Sequence, residues 1–67
     1  MEKRIFKKCS VLGTIEKELD YSVFLVTKNI HLFCTIRGKR EYLGTIPRYK
    51  EDALISEWEQ AGFAEVV

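Results

Sequence analysis

Lysine and arginine are missing from positions 51–67, although the chain contains eleven of them. Positions 1–50 therefore carry eleven basic residues against five acidic ones, a net charge of +6, whereas five acidic residues give positions 51–67 a net charge of −5. The overall charge of +1 conceals this separation. A chain divided in this way is expected to have one surface that attracts a polyanion and another that is repelled by it.

Long apolar segments are missing as well. The longest run of aliphatic and aromatic side chains, at 23–26, is far too short to span a bilayer. The basic segment 3–8 is not followed by the apolar stretch that a signal peptide requires. We therefore expect a cytoplasmic protein that has no membrane partner.

Cysteine and histidine are scarce, with Cys9, Cys34 and His31 as their only representatives. These three residues lack the paired spacing of a zinc site, and the chain has no glycine-rich phosphate loop, so no metal or other cofactor is predicted. Reduced, buried thiols suit the expected compartment. A single disulfide between the two cysteines is left open, because the sequence does not give their separation.

The small size of the chain limits what it can enclose. Its 67 residues leave room for a single domain, 1–67, with one modest core. An apolar content of 46%, including four Phe, three Tyr and one Trp, is that of a folded domain. Since a pocket would have to be carved from that small core, we expect a binding protein and not an enzyme.

The clearest local pattern predicts three antiparallel strands. Segments 21–27 and 30–37 are rich in β-branched and aromatic residues, and Lys28-Asn29 between them suits a tight turn. Gly38-Lys39 suits a second tight turn, which leads to a third strand at 40–46.

A single helix is predicted after these strands. Pro47 is well placed at a helix start, apolar residues at helical spacing extend over about 48–61, and Gly62 suits the stop. The expected class is α+β, an antiparallel sheet of three to five strands with one C-terminal helix packed across one face.

Alternation along the strands predicts a core face and an outer face. The core is expected to contain six residues, namely Leu25, Leu32, Cys34, Leu43, Leu54 and Trp58. The outer face is expected to carry Arg37, Arg40, Tyr42, His31 and a cross-strand pair of Phe24 with Phe33. Glu41 and Thr45 fall on the core side in this register, which indicates either a position at the rim or a one-residue bulge.

Residues 1–20 show a weaker pattern, with two short strands at 4–8 and 11–16. Because two adjacent Phe side chains are seldom left on a solvated face, residues 1–20 either cover the outer face as a second layer or leave it as a basic, aromatic platform. The tetrapeptide Leu-Gly-Thr-Ile occurs at both 12–15 and 43–46, either by chance or because both are edge strands kinked at glycine.

A family resemblance involves the third strand and the helix. Arg37-Gly-Lys-Arg-Glu-Tyr-Leu-Gly-Thr-Ile46, followed by Lys50-Glu-Asp-Ala53, resembles AP2-type DNA-binding domains and is similar to the arm-binding domains of tyrosine integrases, over residues 30–63. The AP2 pattern is Arg-x-Trp-Leu-Gly-Thr-Phe, in which Arg and Trp face DNA and Leu faces the helix. The resemblance implies that Arg40 and Tyr42 face DNA and that Leu43 joins the core.

We therefore predict a small DNA-binding protein that contacts nucleic acid through a basic, aromatic sheet face. Its predicted contact residues are Arg37, Lys39, Arg40, Tyr42, His31 and Phe33. The alternative is a protein-interaction module, because a short chain with an aromatic sheet face and an acidic helix also resembles small phage-encoded inhibitors of host enzymes. Such an inhibitor would bind its partner through the acidic helix or a sheet edge.

Overall fold

The computed structural model describes residues 3–22 and 24–66. Its elements are β1 (Lys3–Ser10), β2 (Gly13–Asp20), the short helix α1 (Phe24–Thr27), β3 (Asn29–Ile36), β4 (Lys39–Pro47), a 3₁₀ turn (Arg48–Lys50), α2 (Glu51–Gln60) and β5 (Ala64–Val66). The five strands form one antiparallel sheet in the order β4-β3-β2-β1-β5. The predicted α+β class is confirmed.

The first twenty residues take part in the sheet. β1 and β2 pair along their whole length as a hairpin, from Lys3 opposite Asp20 to Ser10 opposite Gly13. At the tip, the Ser10 hydroxyl donates to the Gly13 carbonyl at 2.8 Å and accepts from the Leu12 N–H at 3.2 Å. Residues 3–20 therefore do not form a layer over the outer face. They provide the central strand β2 and its neighbour β1.

The predicted strand at 21–27 is wrong. β2 ends at Asp20, whose carboxylate accepts the Ser22 N–H at 2.9 Å, and Phe24–Thr27 forms α1. The position beside β3 is taken by β2, so that Phe33 lies opposite Glu18 and Tyr42 and not opposite Phe24. Pairing across the sheet has outweighed the local β-propensity of this segment.

The turn between β3 and β4 lies one residue earlier than predicted. Arg37 and Gly38 form it with φ of 55° and 78°, and positive φ at both central residues is what a type I′ hairpin requires. The register then shifts at a bulge around Leu43, between the pairs Leu32–Gly44 and Phe33–Tyr42. The bulge returns Thr45 to the outer face, opposite His31.

The bulge also removes Leu43 from the core, where it was wrongly predicted. Its side chain is 51% exposed. The following Gly44 has a φ of 117°, a value that residues with a side chain rarely adopt. Gly13, in the other copy of the repeated tetrapeptide, has a similar φ of 115°, although its strand β2 lies inside the sheet, whereas Gly44 lies in the edge strand β4.

The core lies between the sheet and α2. Its buried members are Phe6, Leu19, Ile30, Ile55, Trp58 and Phe63. The predicted place of Trp58 is confirmed, since its ring contacts Phe6 edge-on at 5.3 Å between centroids. Leu32 and Leu54 are partly buried and pack against this core, as predicted, and Cys34 is half-buried. The side chain of Leu25 lies outside the described part of the structure.

The predicted helix is divided into the 3₁₀ turn and α2, and it stops where Gly62 was expected to stop it. Gly62 has a φ of 102°, and the Phe63 N–H donates to the Trp58 carbonyl at 3.0 Å. This is the Schellman arrangement, which satisfies a carbonyl of the last turn. The chain then reverses, so that Phe63 returns to the core and β5 pairs with β1.

A polar network fixes the start of α2 to the sheet. Arg4 donates two hydrogen bonds to Glu65, at 2.9 and 2.7 Å, and lies 3.8 Å from Glu51. Glu51 also accepts a hydrogen bond from the Tyr21 hydroxyl. Burial raises the pKa of Tyr21 to about 12, and this carboxylate acts in the same direction. The network joins β1, β5 and the first turn of α2.

Candidate functional site

The sheet face opposite α2 is open to solvent. Phe6, Leu19 and Ile30 are buried on the helix side of the sheet. Because successive side chains of a strand point to opposite faces, the residues next to these three in β1, β2 and β3 lie on the outer face. Its described side chains include Lys3, Ile5, Lys7, Cys9, Thr14, Glu16, Glu18, Asp20, His31, Phe33, Thr35, Arg40, Tyr42 and Thr45, and none of these is buried. The outer face is therefore available as a contact surface.

Four of these side chains form a cluster, which we call the aromatic patch: His31, Phe33, Arg40 and Tyr42. The Tyr42 ring lies between the other two rings, with 5.4 Å between centroids in each case. The Arg40 guanidinium carbon lies 3.6 Å from the centroid of the Phe33 ring. Tyr42 nevertheless remains 56% exposed. The patch is held together by its own contacts and still presents a large ring to solvent.

Carboxylates of the central strand neutralise the basic side chains around the patch. Glu18 lies 2.8 Å from Arg40 and 3.8 Å from Lys3, and Glu16 lies 3.1 Å from Lys7. Asp20 follows on the same face, and its hydrogen bond from the Ser22 backbone lowers the pKa of its carboxyl. An acidic row (Glu16, Glu18 and Asp20) thus runs along the middle of the outer face.

This acidic row was not predicted from the sequence. Its signal was the period-two sequence Thr14-Ile-Glu-Lys-Glu-Leu-Asp20, in which Glu16, Glu18 and Asp20 share one face of a strand. Because 21–27 was assigned to the strand beside β3, these acids were not placed next to Arg40.

The six predicted site residues are divided among three places. His31, Phe33, Arg40 and Tyr42 form the aromatic patch on the outer face. Arg37 lies in the exposed β3–β4 turn. Lys39 points to the opposite face, where it lines a cavity of about 260 Å³ together with Cys34, Ile36 and Glu41.

Two lysines on the helix side of the sheet contact aromatic rings and not carboxylates. Lys17 lies 5.5 Å from the centroid of the Trp58 ring and 5.4 Å from that of Phe63, and Lys8 lies 5.8 Å from that of Phe63. Within residues 3–22 and 24–66, neither lysine forms an ion pair. Because α2 has no basic residue in its last turn, these two ammonium groups supply positive charge near its C-terminal end.

The two cysteines cannot form the disulfide that the sequence left open. Cys9 is exposed on the outer face, whereas Cys34 lies on the helix side of the sheet, two strands away, and both are free thiols. The described residues contain no group of three His, Cys, Asp or Glu side chains that is able to hold a metal ion. They also contain no helix of the length and apolar character needed to cross a membrane.

Comparison with known proteins gives no relative. No protein-family model, no curated protein and no solved structure matches this chain. The resemblance to AP2-type and integrase arm-binding domains stays a prediction.

Proposed function

We propose that this protein is a small non-enzymatic binding protein that docks a protein partner on the outer face of its sheet. The aromatic patch carries this proposal, because Tyr42 is exposed yet held in place by His31 and Phe33. Tyrosine, phenylalanine and arginine are enriched in protein interfaces, and a side chain that is already ordered loses little entropy on binding. Tyr42 is the expected centre of the contact.

The charge balance of the outer face favours a protein over a nucleic acid. A protein binds nucleic acid when its lysine and arginine side chains replace the cations that are condensed on the phosphates. On this face Lys3, Lys7 and Arg40 are each already paired with Glu16 or Glu18. A duplex laid across the sheet would also bring its phosphates against the acidic row. A protein surface of mixed charge meets no such repulsion.

Nucleic-acid binding is the second candidate, and the β3–β4 turn supports it. Within the described part of the chain, neither Arg37 nor Lys39 forms an ion pair. Both lie at one end of β4, near Tyr42 and Phe33, whose faces are suited to stacking on unpaired bases. A single strand that follows this end of the sheet would avoid much of the acidic row.

Matched tyrosine variants test the first proposal. Tyr42→Ala removes the patch centre, whereas Tyr49→Ala removes a tyrosine that is 81% exposed and lies in the 3₁₀ turn, away from the sheet face. A partner captured by the wild-type protein and by Tyr49→Ala should be lost with Tyr42→Ala. With that partner purified, Tyr42→Ala should weaken binding by roughly thirtyfold, the size of an interface hot spot.

Titration with fluorescent duplex and single-stranded DNA at two salt concentrations tests the second candidate. Binding at low salt, with a logarithmic salt slope that Arg37→Ala makes shallower by about one, would identify a nucleic-acid ligand. If no captured protein distinguishes Tyr42→Ala from Tyr49→Ala and no DNA binds, both proposals are wrong.

A further inference from the structure

The edge strand β4 leaves backbone groups without partners in the sheet. β4 is at one end of the strand order, and in the described structure only β3 pairs with it. About half of the N–H and C=O groups of an edge strand point away from its neighbour. They recur at a spacing that another extended chain matches and that a small molecule does not.

A groove runs beside this edge on the helix side. It is lined by Ile46 of β4 and by Lys50, Ala53, Leu54 and Glu57 of the 3₁₀ turn and α2, and its volume is about 310 Å³. This volume is at the lower end of the roughly 300–1,000 Å³ of small-molecule sites. The groove is therefore suited to single apolar side chains, with Lys50 and Glu57 available to polar groups beside them.

The two features occur together at one place. A strand added along β4 would direct alternate side chains toward the helix side, because side chains alternate between the faces of a sheet. Ile46 belongs to the part of β4 that follows the bulge, so a strand paired there would have its helix-side residues above the groove. The alternate residues of the added strand would lie on the outer face, beside Thr45.

We propose that the β4 edge and this groove bind an extended peptide segment of a partner protein. The segment adds a sixth strand to the sheet and places an aliphatic side chain over Ile46, Ala53 and Leu54. Main-chain hydrogen bonds to β4 supply affinity, and the groove selects the side chain. This site is separate from the aromatic patch, and the proposal does not depend on the partner suggested for the outer face.

The test uses a display library of random twelve-residue peptides and two matched variants. Ala53→Arg places a long charged side chain in the groove without removing a core residue, since Ala53 is exposed. Ser56→Arg makes the same change in charge at an exposed position that does not line the groove. Selected peptides should bind Ala53→Arg at least about tenfold more weakly than wild type, and Ser56→Arg within about twofold.

A scan of N-methylated forms of one selected peptide then tests strand addition itself. Methylation removes a backbone donor, so affinity should fall at every second position and persist at the positions between. Peptides that are insensitive to Ala53→Arg, or that show no period of two, would contradict the proposal. It would also be contradicted by concentration-dependent dimers of the protein alone that perturb the β4 amide signals, since the edge would then belong to a second copy. Retained peptide binding by Tyr42→Ala would separate this site from the outer-face proposal.

Discussion

The lysines on the two faces of this sheet are held in different ways. On the outer face, Lys3 and Lys7 are paired with carboxylates of the neighbouring strand β2. On the helix side, Lys8 and Lys17 lie over aromatic rings and form no ion pair with a described residue. The bases of positions 1–50 are therefore not gathered on one surface. Strand pairing can therefore bring acidic and basic side chains together on one surface even when the net charge of the chain differs between its two ends.

The largest effect should come from the residue that joins the helix to the sheet. Trp58→Ala should lower the free energy of unfolding by about 3–5 kcal/mol, which is enough to unfold a domain of this size. Tyr49→Ala, an aromatic truncation at an exposed position, should leave the melting temperature nearly unchanged. Thermal melts followed by circular dichroism compare the two. Near-wild-type melting of Trp58→Ala would show that the core is wrongly placed.

The pH dependence of stability should reveal the network at the start of α2. The hydrogen bonds from Arg4 lower the pKa of Glu65 in the folded protein. The ionised Glu65 therefore stabilises the fold at pH values above the pKa that Glu65 has in the unfolded chain. That contribution should be lost as the pH falls below 4.5, the ordinary pKa of a glutamate, and then through the lower pKa of Glu65 in the folded protein. Glu65→Gln should remove this part of the acid sensitivity in urea titrations at pH 3 to 7. Glu59→Gln, at an exposed carboxylate of α2, should keep it.

Matched lysine variants sharpen the comparison between the faces. Lys17→Gln should lower the free energy of unfolding by about 0.5–1 kcal/mol, because it removes a cation from two aromatic rings near the end of α2. Lys7→Gln should cost less than about 0.5 kcal/mol, since it breaks an exposed ion pair. The Lys7 effect should shrink further in 1 M salt, where exposed charges are screened. If the two variants lose the same free energy of unfolding with the same salt dependence, the lysines on the two faces are not held in different ways.

Thiol labelling should show the smallest difference. Cys9 is exposed on the outer face and Cys34 is half-buried on the helix side, so a thiol reagent should label Cys9 first in the native protein. Mass spectrometry of partially labelled Cys9→Ser and Cys34→Ser variants measures the two rates. Faster native labelling of Cys34 would indicate that the faces are reversed.

The sequence predicted best where one strand or helix decides the outcome. The positions of Trp58 and Gly62 follow from the periodicity and termination of a single helix, and both are confirmed. His31, Phe33 and Tyr42 were placed on a common face by alternation along β3 and β4, and Tyr42 does contact both of the other rings.

The sequence failed where the neighbour of a strand had to be chosen. Both 13–20 and 21–27 have residues suited to a strand, and local propensity alone favours the second. The hairpin that Ser10 and Gly13 close, together with the turn at Asp20, gives the place beside β3 to β2. Every error about Phe24 and the acidic row follows from that one choice. The displacement of Leu43 has a separate origin, in the positive φ of Arg37 and the bulge.

The Ser10 hydroxyl bridge has a practical consequence for altering the chain. The Ser10 hydroxyl, which precedes the loop residues Val11 and Leu12, holds the β1–β2 tip through its hydrogen bonds. The side chain of Val11 is fully exposed. The bridge reaches only main-chain groups of Leu12 and Gly13, so substitution of the exposed Val11 and Leu12 side chains should matter little to folding, and inserted residues should be tolerated between them. An epitope or a fluorophore-binding sequence inserted between Val11 and Leu12 would extend from one end of the sheet, clear of both the aromatic patch and the β4 groove.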